Sequence, residues 1–93
     1  MNASEAEFRH LLGKARDAKH GGRDAWSVQS TGEKVAVALV LNRPDWLASI
    51  NYTLAEAVER TGPVWLSMVR DVERALCEEP PKELEAGHVN RLD

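Results

Sequence analysis

The sequence predicts an all-α fold, a compact single domain of four to five short helices, and three observations predict it. Three times a Ser or Thr is followed three residues on by Glu, at Ser4/Glu7, Ser30/Glu33 and Thr53/Glu56. In such a capping box the hydroxyl accepts from the third helical amide and the Glu reaches back to the cap's own amide, so each pair marks a helix start. Twice a proline, Pro44 and Pro63, opens an apolar stretch, and a first helical position loses nothing by lacking an amide. Finally, Trp65, Val69, Val72 and Leu76 recur at helical spacing with Met68 and Ala75 beside them, the pattern of a half-buried helix.

A chain of 93 residues, 43% apolar and 29% charged, supports one core and buries roughly 60% of its unfolded surface. It has the balance of an ordinary globular protein. The expected layout is one helical domain over 1–80 and a polar, flexible tail over 81–93.

The first helix is expected over 5–20, with Phe8, Leu11, Leu12, Ala15 and Ala18 on one face and Gly21-Gly22 as its stop. Arg9, Lys14, Arg16 and Lys19 line the other face. In the next stretch Trp26 and Val28 alternate with Ser27 and Gln29, which suits a short strand. Thr31-Gly32 could then turn a β-hairpin at about 25–41, giving an α+β fold covered by helices, and the sequence leaves that alternative open. The favoured reading makes 31–42 a helix, because Ser30 and Glu33 form a box and Ala36, Ala38, Leu39 and Leu41 are good helix formers. Pro44 ends it and starts a short helix through Ser49, carrying Trp46 and Leu47. Thr53 begins a helix that stops at Thr61-Gly62, and Pro63 begins the last, which runs to Pro80-Pro81. The expected core is Leu12, Val37, Leu39, Leu41, Leu47, Val58, Trp65, Val69 and Val72.

The net charge of −3 is uneven: residues 1–43 hold seven Lys/Arg against five Asp/Glu, and 44–93 hold five against ten. Such a chain is a poor polyanion binder, since nucleic-acid affinity begins with neutralising phosphates. One cysteine, Cys77, cannot form an internal disulfide, so nothing points to an oxidising compartment and the cytoplasm is the expected location. The amino terminus lacks the basic residues of a signal peptide, and the longest apolar run, 35–41, is far too short to span a bilayer.

No catalytic signature stands out. His10, His20, His88 and Cys77 avoid the three- and four-residue separations that place two ligands on one helix face. Cys77 lies beside Glu78 and Glu79, surroundings that disfavour a thiolate. Neither a metal, nor a cofactor, nor an enzymatic activity is expected. Three tryptophans among five aromatics are more than so small a core easily covers, and Trp and Tyr with one exposed edge are typical interface anchors. The expectation is a non-catalytic interaction or regulatory module that binds a protein partner, or itself as a homodimer, through an apolar surface at Trp46, Tyr52 and Trp65. The alternative is a helix-turn-helix DNA-binding protein using 53–76, with Ser67, Arg70 and Arg74 toward DNA. Its acidic residues Asp71 and Glu73 would face phosphates, which places nucleic acid below a protein partner.

Overall fold

A computed structural model describes residues 3–79, and among them the chain forms five helices and no strand. These are α1 (Ala3–Ser27), α2 (Thr31–Val40), α3 (Pro44–Ser49), α4 (Leu54–Leu66) and α5 (Val69–Glu78). The all-α expectation is met. The tail expected over 81–93 lies outside the described residues.

A helix with apolar residues all round must be enclosed on every side, and α2 is. Val35, Ala36, Val37, Ala38 and Val40 are buried, and α2 packs against each of the other four helices. Its start is the Ser30 box: the Glu33 amide donates to Ser30 Oγ at 3.2 Å and the Ser30 amide to Glu33 Oε1 at 3.0 Å. The box takes Thr31 and Gly32 into the first helical turn, and this excludes the hairpin alternative.

Gly22 breaks α1 with φ 72° and ψ −161°, a region open essentially to glycine. The helical path resumes at once, so the glycine pair kinks α1 where the sequence suggests an end. Residues 23–27 are therefore a further helical turn and not a strand. Trp26 enters the core and its indole donates to Lys34 O at 2.8 Å, while Val28 is 84% exposed. Ser4 lies inside α1 and is no cap, and Glu7 is engaged elsewhere, as described below.

α2 ends earlier than expected, because Leu41 caps it and Asn42 turns left-handed at φ 56°. Pro44 then stands in the first turn of α3, whose Trp46 and Leu47 are buried. The Thr53 box opens α4, with bonds of 3.0 and 2.9 Å. Gly62, at φ 83° and ψ 164°, kinks α4 just before Pro63 without ending it.

The last helix expected from 63 onward is split at Ser67 and Met68. Ser67 Oγ donates to Val64 O at 2.7 Å, and the Met68 amide bonds Trp65 O, three residues back, at 2.9 Å. A serine competing for a helical carbonyl is a local cause of such a slip. α4 and α5 both lie on α2, and α1 contacts both of them. The Arg16 guanidinium closes the bundle with a two-pronged bond to Glu79, the shortest prong 2.7 Å. Val58, expected in the core, is 42% exposed; Ala57 is buried in its place.

Candidate functional site

The three indoles have different fates. Trp26 and Trp46 pack together with ring centroids 5.0 Å apart, and the Arg43 guanidinium, held two-pronged by Asp45, lies 4.5 Å over the Trp46 ring. Trp46 is only 4% exposed, so it belongs to the core and offers almost no surface to a partner. The sequence missed this because Pro44-Asp45-Trp46 and Pro63-Val64-Trp65 look alike. α3 presses its first turn onto α2, whereas the kink at Gly62 turns the matching segment of α4 outward.

Trp65 is half-buried and fixed from two sides. Its indole donates to Glu7 Oε1, and the His10 ring lies 5.6 Å away, tilted by 30°. His10 Nε2 in turn bonds Glu33 Oε2 at 2.8 Å, with Lys14 Nζ 3.8 Å from the other carboxylate oxygen. Burial pushes the Glu33 carboxyl up, but the Ser30 amide, His10 and the Lys14 charge outweigh it and hold the pKa below its ordinary value. Indole, imidazole and carboxylate thus tie α4 to α1 and to the start of α2.

Beside this cluster lies a groove of about 460 Å³ whose walls include Trp65, Pro63, Val64, Glu7, Glu33 and Arg60. Val64 is 55% exposed there. Arg60 rests near Gly32, where a Cβ would stand 3.3 Å from its Nη1. It also borders a second depression that holds Tyr52, Glu56 and Glu59. Tyr52 and Trp65, both expected at a partner surface, therefore lie in adjoining depressions on either side of Arg60.

A smaller depression of about 300 Å³ lies against the Gly22 kink, lined by Ala18, Val40, Leu76 and Trp46. Its charged groups are engaged: Lys19 donates to Leu76 O, Arg43 pairs with Asp45, and Glu73 with Arg70. Of the residues of the DNA-binding alternative, one lies outside the last helix and two lie on it. Ser67 sits in the break, and Arg70 and Arg74 pair with Glu73 and Asp71 at 2.7 and 3.1 Å, on the exposed side of α5. Among the described residues no three His, Cys, Asp or Glu side chains converge as a metal site would require, and no helix is long and apolar enough to cross a membrane. No protein-family model, curated protein or solved structure matches the chain.

Proposed function

We propose that the chain is a non-catalytic interaction module that holds a segment of a partner protein in the Trp65 groove. The carrying observation is the division of the indoles: two are enclosed by α1, α2 and α3, and the third stands in an open groove beside exposed Val64 and Pro63. A rigid aromatic edge next to apolar surface is the usual anchor of a binding hot spot. Its attachment to Glu7 and His10 reduces the ordering that binding must impose.

The test is photo-cross-linking in the protein's native host from benzoylphenylalanine placed at Val64, with Val28, exposed and lining a different depression, as the control. Discrete adducts from position 64 that disappear with Trp65→Ala, and are absent from position 28, are the expected result. Equal labelling from both positions, or adducts indifferent to Trp65→Ala, would remove the proposal.

A further inference from the structure

The groove's charges point to the kind of partner it takes, and this inference rests on reading that groove as the binding site. We infer that its occupant is an extended segment of a different protein carrying two basic side chains, one beside Trp65 and one beside Tyr52. Glu7, at the Trp65 end, and Glu56 and Glu59, at the Tyr52 end, form no salt bridge with any cation among the described residues. Glu33 differs, since Lys14 and His10 already answer its charge. Glu7 accepts from the Trp65 indole and Glu56 from the Thr53 amide, but neutral donors leave their charge unanswered, so among the described residues the carboxylates without a salt bridge outnumber the one such cation, Arg60, on this surface.

A guanidinium has donors and no acceptor. Arg60 stands where the two depressions meet and makes no hydrogen bond or ion pair with a described residue. Its donors suit the backbone carbonyls of a chain crossing from one depression to the other, with a cation on either side. Lys and Arg also lay aliphatic stems on apolar surface while their heads reach carboxylates, which matches Val64 and Trp65 beside Glu7. A second copy docked face to face would bring one net-acidic patch against an equally net-acidic one. The occupant is accordingly another protein.

The test selects from a random dodecapeptide library, fused at both ends so that no free terminus takes part, with the full chain as bait. Enriched peptides are expected to carry two or more Lys/Arg, to lose binding with Trp65→Ala, and to bind more weakly at 500 mM than at 50 mM salt. Glu7→Gln and Glu59→Gln should each weaken them about two- to fivefold, the range of an exposed ion pair. Glu59 has no described partner, so that variant keeps the fold intact. Binders lost with Trp65→Ala but lacking basic residues, or unmoved by both Glu variants, would overturn this inference and leave the groove reading standing. Basic binders indifferent to Trp65→Ala, or no enrichment at all, would overturn both.

Discussion

Replacing Gly62 with alanine perturbs the backbone alone, because a Cβ built there meets nothing within 4 Å. Its φ of 83° and ψ of 164° lie where a side chain costs about 1–3 kcal/mol. Loss of unfolded-chain freedom returns about 0.4–1 kcal/mol, so from the middle of the strain range, about 2 kcal/mol, Gly62→Ala should destabilise by a net of about 1–2 kcal/mol. Gly13 is the counterpart, with the same open surroundings inside the regular part of α1. There alanine should stabilise by about 0.5–1 kcal/mol, the ordinary helical difference between the two residues. Urea unfolding followed by circular dichroism, at a slope of about 1 kcal/mol per molar, would show the midpoint falling by about 1–2 M for the first and rising by up to about 1 M for the second. Gly62→Ala equal to or more stable than the parent would refute the kink and, with it, the outward turn that exposes Trp65.

Two further outcomes follow from the core and from the ion pairs. Val37→Ala, in the enclosed face of α2, should cost about 2–3 kcal/mol by the same urea assay; a cost below about 1 kcal/mol would mean that α2 is not the central helix. Glu33 and Glu79 both have carboxyl pKa values held below the ordinary 4.5, Glu79 chiefly by its hydrogen bond to Arg16. A carboxylate with a lowered folded pKa adds stability that is fully present above the unfolded value and lost as pH falls through the folded one. The urea midpoint should therefore hold from pH 7 to about 5 and fall below about 4.5, with Glu33→Gln less stable at pH 7 and flatter in acid; identical acid profiles for parent and variant would contradict this.

Most of the fold was legible because its helix starts are written locally. The Ser30 and Thr53 boxes and Pro44 each involve residues within one turn, and each opens a helix where the sequence places it. The apolar run at 35–41 implies burial in either form, and it is the Ser30 box that makes it the enclosed helix α2. What failed depended on partners distant in sequence. Ser4 and Glu7 have the spacing of a box, yet Glu7 is taken by Trp65, 58 residues on. Gly22 and Gly62 have the look of stops, but the helical path resumes beyond each kink, after Gly22 with Trp26 packed into the core and after Gly62 with Val64 facing outward. The site was half legible: composition singled out the tryptophans and Tyr52, while only the packing of α3 on α2 separates buried Trp46 from Trp65. Arg60 had no local signal, since it matters only because Gly32, Trp65 and Tyr52 converge around it.

The division of the three indoles is tested most directly by acrylamide quenching of tryptophan fluorescence in the native protein. Trp65 should supply the accessible component, so Trp65→Phe should remove it and leave two protected emitters, with the urea midpoint little changed. A quenching curve unaltered by Trp65→Phe, or accessible emission from Trp26 or Trp46, would contradict the assignment of Trp65 as the groove's exposed aromatic.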